Sequence, residues 1–208
     1  MKTLLLLFGL SFLIFGFVSD RSIRNVYTTY IEDNSRLYIE GSSNVNTFEC
    51  NSKDKCAPIS VGISLNASGD TVRFSNAMLQ LHTMNLDCSN SKMNSDLQDA
   101  LKAEQYPVIK IDLLGVMLND GSRFDDIEND WKTVKALATF TITDVTKHVV
   151  MDVRVRKLEN GKYRFMAQKQ VKMTDYNVQP PEVLFGMIKV NNAISINMDV
   201  TARLVKEQ

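Results

Sequence analysis

Beyond residue 20 the chain alternates between apolar and polar positions at the period of a β-strand. The run is cleanest near the end, where Ile194, Ile196, Met198, Val200, Ala202 and Leu204 alternate with Ser195, Asn197, Asp199, Thr201 and Arg203. Residues two apart share a sheet face, so this pattern predicts a strand with one face in the core and the other in water. Val149, Met151, Val153 and Val155 alternate in the same way with Val150, Asp152, Arg154 and Arg156. Asn160-Gly161 then supplies the left-handed residues of a tight hairpin, and Tyr163, Phe165 and Ala167 begin the return strand. Upstream, Ile109, Ile111 and Leu113 alternate with Lys110, Asp112 and Leu114. Further strands fit residues 37–40, 45–50, 59–66 (ending at the Ser68-Gly69-Asp70 turn), 71–87 and 134–143.

One segment breaks this rhythm. Residues 89–103 carry Met93, Leu97, Ala100 and Leu101 at helical spacing, behind a cap at Ser89 or Asn90, and Pro107 stops the helix soon after. A second short helix or a turn fits 182–186. Residues 119–130 hold Asp120, Asp125, Asp126, Glu128 and Asp130 and read as a solvated excursion between strands. No repeat and no linker divides the chain. The fold class is therefore all-β: about eight antiparallel strands with one or two short helices, arranged as a closed barrel or a sandwich. Closure removes the edges that such long strands would expose. A barrel of this size either fills itself with side chains or holds one small ligand, and its helix packs outside or plugs one end. The pattern alone leaves both choices open.

The N-terminus follows a different rule. Lys2 precedes fifteen residues, Leu4 to Val18, that are apolar except for Ser11. A bilayer-spanning helix needs roughly 20, whereas a charged start and a short apolar core make a secretory signal peptide. We assign 1–19 to the signal, with Phe17 at the −3 position of a cleavage after Ser19; an uncleaved anchor is the competing reading. Residues 20–34 form a lead-in and 35–206 the domain. After cleavage no apolar stretch is long enough to span a membrane, and the protein is expected in the periplasm or outside the cell.

Charge and cysteine content narrow the function. The chain holds 24 basic and 24 acidic residues, and a balanced surface argues against a nucleic-acid partner, which would need a basic face. An oxidising destination makes Cys50, Cys56 and Cys88 readable: Cys50–Cys56 would close a short loop, Cys50–Cys88 would tie two strand ends together, and three free buried thiols are the third reading. The sequence has no Gly-rich phosphate loop and no His-Glu-x-x-His. Its two histidines, His82 and His148, are too few for a zinc site and read as ordinary polar residues. The acids of 125–130 lack the spacing of a calcium loop. Asn66-Ala67-Ser68 is a glycosylation sequon, relevant only in a eukaryotic secretory pathway. This favours a binding protein over an enzyme, with no metal and no catalytic residues.

Four stretches resemble a known family. Leu97-Gln-Asp-Ala-Leu-Lys-Ala-Glu-Gln-Tyr106-Pro107-Val-Ile-Lys-Ile-Asp112 is similar to the helix, Tyr-Pro and strand of the YceI-like domain family. Ala138-Thr-Phe-Thr-Ile-Thr-Asp-Val-Thr-Lys147 resembles its strand and turn, Met173-Thr-Asp175-Tyr176-Asn-Val178 its Asp-Phe/Tyr-Gly loop, and Ile39-Glu-Gly41-Ser-Ser-Asn-Val-Asn-Thr-Phe48-Glu-Cys50 its opening strands. The resemblance implies a lipocalin-like barrel, exported in bacteria, that holds a polyisoprenoid or isoprenoid quinone without catalysis. Two features depart from the pattern: Asn177 stands where Gly is usual, and the three cysteines are absent from many members.

An isoprenoid chain needs a continuous apolar wall. The candidates are Ile63, Phe74, Ile109, Ile111, Phe140, Ile142, Met151, Val153, Tyr163, Phe165, Ile196 and Met198, with Asp175, Tyr176, Pro180 and Pro181 as a rim. The ten methionines suit an adaptable lining. Two alternatives stand beside this: a filled barrel serving as a structural or protein-interaction module, and a lipid-modifying enzyme using His82 or His148 as base.

Overall fold

The computed structural model describes residues 23–118, 120–183 and 185–207; the signal assigned to 1–19 lies outside them. Among the described residues the strands are β1 (Ile23–Ile31), β2 (Arg36–Ser42), β3 (Thr47–Ser52), β4 (Ile59–Leu65), β5 (Thr71–Ser75), β6 (Met78–His82), β7 (Leu86–Asp87), β8 (Val108–Met117), β9 (Lys132–Ile142), β10 (Val145–Lys157), β11 (Tyr163–Lys172), β12 (Glu182–Val183), β13 (Ile188–Lys189) and β14 (Ala193–Lys206). Helix α1 (Ser91–Ala100) follows β7.

The antiparallel pairings form a closed ring of eight, β1-β4-β5-β8-β9-β10-β11-β14, because β1 pairs with both β4 and β14. The expected all-β antiparallel class holds, with about eight strands in the ring. Segment 20–34, set apart as a lead-in, contributes β1 and so closes it. Strand β1 shows no alternation because residues 25–31 are all half-buried.

Two long strands share one edge between two partners. Strand β8 pairs with β5 over 115–117 and with β6 over 108–112; β14 pairs with β1 over 202–206 and with β2 over 195–199. Strand β2 carries β3, and β3 carries β7. The single strand expected over 71–87 is therefore three, divided by Asn76 in a left-handed conformation (φ 61°) and by a 3-10 turn at Thr83–Asn85. The first break lies opposite a register shift between Leu113 and Gly115. Gly115 is needed there, since a Cβ would sit 2.9 Å from the Val72 carbonyl oxygen.

Local chemistry accounts for the turns. Asn90 caps α1, its side chain accepting from the Met93 N–H at 3.0 Å. Residues 182–186 form no helix: Glu182 and Val183 pair with Lys189 and Ile188 in a hairpin, and Phe185 and Gly186 at its tip have φ of 56° and 82°. The turn at Asn160-Gly161 is a five-residue loop, with Gly161 at φ 75°. In the sequon, the Asn66 side-chain oxygen accepts from the backbone N–H groups of Gly69, Asp70 and Thr71. That amide organises a turn, and a glycan on it would break the network.

The core follows the alternation. Val134, Ala136, Ala138 and Phe140 of β9 and Met151, Val153 and Val155 of β10 point inward and are buried, Ala136, Ala138 and Phe140 completely. The outward positions of β10 carry Asp152, Arg154 and Arg156.

Candidate functional site

At one end the inward faces do not meet, and a cavity of about 400 Å³ opens. Ile109 and Ile111 of β8, Ile142 of β9, and Ile194 and Ile196 of β14 form its wall, continued by Ile39, Phe48 and Leu81. A 3-10 turn at Met173–Tyr176 supplies Met173 and Tyr176, and Val178, Pro181, Ile188 and Val190 complete that side. Helix α1 covers the opening with Met93 and Leu97, and Leu101 follows. Polar side chains are confined to the mouth, at Ser43, Asn46, Asn90, Lys92 and Asp96.

The mouth is assembled by specific bonds. Cys50 at the end of β3 is joined by a disulfide to Cys88, just before α1, and both line the cavity; Cys56 stays free. Among the described residues no ladder joins β6 to β7. Asp54 closes that seam: its carboxylate accepts from the His82 N–H at 2.7 Å, faces His82 Nδ1 at 3.0 Å, and accepts from the Asn85 amide. Burial pushes this carboxyl up, but the hydrogen bonds from Asn85, His82 and Ser52 outweigh it and hold the group below its ordinary value. Across the mouth, the Asn44 side chain bridges the Met187 carbonyl and the Lys189 N–H, tying the turn after β2 to the β12–β13 hairpin. Val45, Phe185 and Met187 leave an exposed apolar lip there.

The Tyr176 loop is fixed from below. The Thr143 hydroxyl donates to the Tyr176 carbonyl, and Asn177 adopts φ 57° while its amide donates to Asp144 at 3.3 Å. Asn thus takes the left-handed geometry that Gly would otherwise supply. Burial raises the Tyr176 phenol, and the neighbouring Asp175 adds to the shift.

A family model described as "YceI-like domain" matches residues 34–202. The chain belongs to the YceI-like domain family. Strand β1 of this YceI-like domain lies before the matched region. Among solved structures, it is similar to a polyisoprenoid binding domain from Saccharophagus degradans, implicated in plant cell wall breakdown, at 10% identity and TM-score 0.61. That match covers 86% of this chain and 99% of the other. It is also similar to Burkholderia cenocepacia BcnA, at 15% identity and TM-score 0.61, covering 81% and 96%. At these identities the likeness shows the lipocalin-like fold alone. No curated protein matches by sequence.

The YceI-like domain distributes the candidate residues in two groups. Ile109, Ile111, Ile142, Ile196, Tyr176 and Pro181 line the cavity. Phe140, Met151 and Val153 are buried in the core beyond it, and Ile63, Phe74, Tyr163, Phe165 and Met198 pack against that core half-buried. Asp175 is exposed and lies 3.5 Å from the Lys147 ammonium; Pro180 stays outside the lining. Neither His82 nor His148 lines the cavity, and both are exposed.

Sequence reasoning missed Phe48, Met173, Val178, Ile188, Ile194 and the α1 stripe as lining. Two signals were available. Gly41 pairs with Phe48, and a Cβ on Gly41 would lie 2.4 Å from the Phe48 ring, so a strand glycine marks where an aromatic ring lies flat. The helical spacing of Met93, Leu97 and Leu101 marks an apolar face that something must meet. Among the described residues no cluster of three or more His, Cys, Asp or Glu is placed to hold a metal, and no helix is long and apolar enough to cross a membrane.

Proposed function

We propose that the cavity holds an isoprenoid chain, a polyisoprenoid or the tail of an isoprenoid quinone, and that the protein binds or carries this lipid without altering it. The carrying observation is the cavity itself, whose walls are aliphatic, aromatic and thioether groups and whose polar side chains stand only at the mouth. Such a space offers a long hydrocarbon burial without stranding a polar atom. The name of the Saccharophagus degradans relative, a polyisoprenoid binding domain, supports the same ligand class.

Magnitudes set a minimum cargo. Each buried CH₂ contributes about 0.8 kcal/mol, so two isoprene units give roughly 8 kcal/mol before the association cost of about 4–15 kcal/mol. Retention through purification therefore requires more than two units inside, with a head group at the Asn46 and Lys92 side. Lys92 and Asp96 stand at the mouth and pair with each other, which is why we read binding rather than catalysis. Signal removal and action in a bacterial periplasm or outside the cell belong to the same proposal.

Native mass spectrometry of residues 20–208 purified from a bacterial periplasm, followed by solvent extraction, tests it. A stoichiometric adduct that extracts as an isoprenoid is the expected result. A bare mass in repeated preparations, also after incubation with quinones, would overturn the proposal.

A further inference from the structure

A second, polar site lies outside the barrel, where β10 ends and β11 begins. The guanidinium carbons of Arg154 and Arg156 each stand 4.7 Å from the centroid of the Trp131 ring, and that of Arg164 stands 6.0 Å away. Arg156 and Arg164 are direct cross-strand partners, a like-charge arrangement that opposes pairing. Only one of the three is neutralised: Arg164 donates from Nε to Asp199 Oδ1 at 2.8 Å and from a terminal nitrogen to Oδ2 at 2.6 Å. The nearby acids Asp152 and Glu32 are engaged elsewhere. Asp152 pairs with Lys135 and Glu32 with Lys162. Asp130, beside Trp131, is exposed and makes no ion pair with these arginines. Among the described residues no carboxylate pairs with Arg154 or Arg156.

Arg156 Nε is buried and has no hydrogen-bond partner, and among the described residues no other buried side-chain nitrogen or oxygen is in that condition. Buried guanidinium N–H groups are hydrogen-bonded as a rule, so the chain itself leaves the Arg156 guanidinium under-satisfied. Next to it is a cleft of about 170 Å³ lined by Asn34, Arg156, Leu158, Arg164, Asp199 and Thr201. At roughly 30 Å³ per water, this is room for a small group rather than for a whole cofactor. Both Asp199 oxygens are already bonded by Arg164, which reduces their repulsion of an incoming anion.

We propose that this cleft binds a small oxyanion, a phosphate or carboxylate group, through Arg156 and its stacked neighbours. Stacking on Trp131 fixes the guanidinium planes, and a fixed fork is the geometry that recognises such groups. The site does not depend on the lipid reading: it draws on the outward face of the strands, the cavity on the inward one.

Trp131 is the sole tryptophan, so its fluorescence reports on the site directly. The test is a titration of the whole protein with sodium phosphate, and separately with sodium acetate, against sodium chloride at matched ionic strength. A third arm uses phosphatidylcholine vesicles with and without phosphatidylglycerol. A saturable change with phosphate or acetate is expected; saturation only by the phosphatidylglycerol vesicles would place the oxyanion on a lipid head group. In Arg156→Gln the binding should weaken at least tenfold, while Lys110→Gln, at an exposed position on β8, should leave it unchanged. Responses no different from chloride in every arm, or equal binding by Arg156→Gln, would overturn the proposal and leave the arginine stack as surface structure.

Discussion

Strands β8 and β9 run the length of the barrel, and the same pair walls a cavity at one end and a solid core at the other. On β8, Ile109 and Ile111 line the cavity, while Val116 further along the same strand is buried in the core outside the lining. The difference lies in the circumference. At the packed end eight strands close through β1, β4 and β5. At the other end β6 replaces β5 on β8, and β2 replaces β1 on β14 and brings β3 and β7 with it. Barrel diameter grows with strand number, so the wider end cannot be filled by the same inward rows and is covered by α1. A binding space here is a local widening of an otherwise packed barrel.

The largest loss is expected where the solid core meets the cavity wall. Phe140→Ala removes a fully buried ring outside the cavity lining and should cost about 3–5 kcal/mol, read as a fall in the urea midpoint. Ile111→Val, on the cavity wall, should cost no more than about 0.5–1.5 kcal/mol. The same deletion made at both ends isolates packing: Val134→Ala in the core should cost more than Val171→Ala on the cavity wall, and equal losses would mean that the two ends are equally packed.

The second test acts on the seam. Cys50 and Cys88 are 38 residues apart in sequence, and a cross-link of that span stabilises by about 2–4 kcal/mol. Removing it as Cys50→Ser with Cys88→Ser should lower stability by that amount and speed hydrogen exchange in α1, leaving β9 and β10 protected. Faster exchange spread evenly over the barrel would show that the bond supports the whole fold rather than the wide end.

The same contrast explains what was legible in the sequence. Alternation reports which face of a strand a residue occupies, and on that basis the all-β class and the inward rows of β9, β10 and β14 could be read directly. It does not report height along the barrel axis, so Ile142 of the cavity wall and the fully buried Ala136 look equivalent on the inward face of β9. Strand β1 was illegible because residues 25–31 are half-buried on both faces and write no pattern. Residues 71–87 concealed two breaks because a left-handed Asn76 is as polar as any outward position. The stripe of α1 announced a helix but not what it covers, since a stripe of this kind fits a cavity mouth as well as a sheet.

A third test sharpens the comparison at the lining. Gly41→Val would drive the Phe48 ring off β2, and because that ring lines the cavity its displacement reshapes the wall. Folding stability should change little, while retention of a bound isoprenoid should weaken about tenfold, or ~1.4 kcal/mol. Displacement of a fluorescent lipid from the variant measures it, and unchanged affinity would place the cargo away from Phe48.

The smallest effect concerns the mouth in acid. Asp54 stands in for a strand partner of His82, and its carboxyl is held below the ordinary value because the hydrogen bonds outweigh the burial that pushes it up. A lowered folded value means that the stabilisation is fully present above the unfolded carboxyl value, about 3.9, and disappears as pH falls through the lower folded value. The titratable groups facing it are His82 and the Cys56 thiol, the latter pushed up by burial and by Asp54 itself. In Asp54→Asn a neutral amide keeps an acceptor for the His82 N–H but loses the charge-assisted part, at a cost of about 1 kcal/mol near neutrality. Urea midpoints measured from pH 7 to 3 should therefore converge for the two proteins below about pH 4, the wild type losing what the variant never had. A gap that stays constant across that range would show that Asp54 acts through shape rather than charge, and that the wide end of the barrel is not held by its carboxylate.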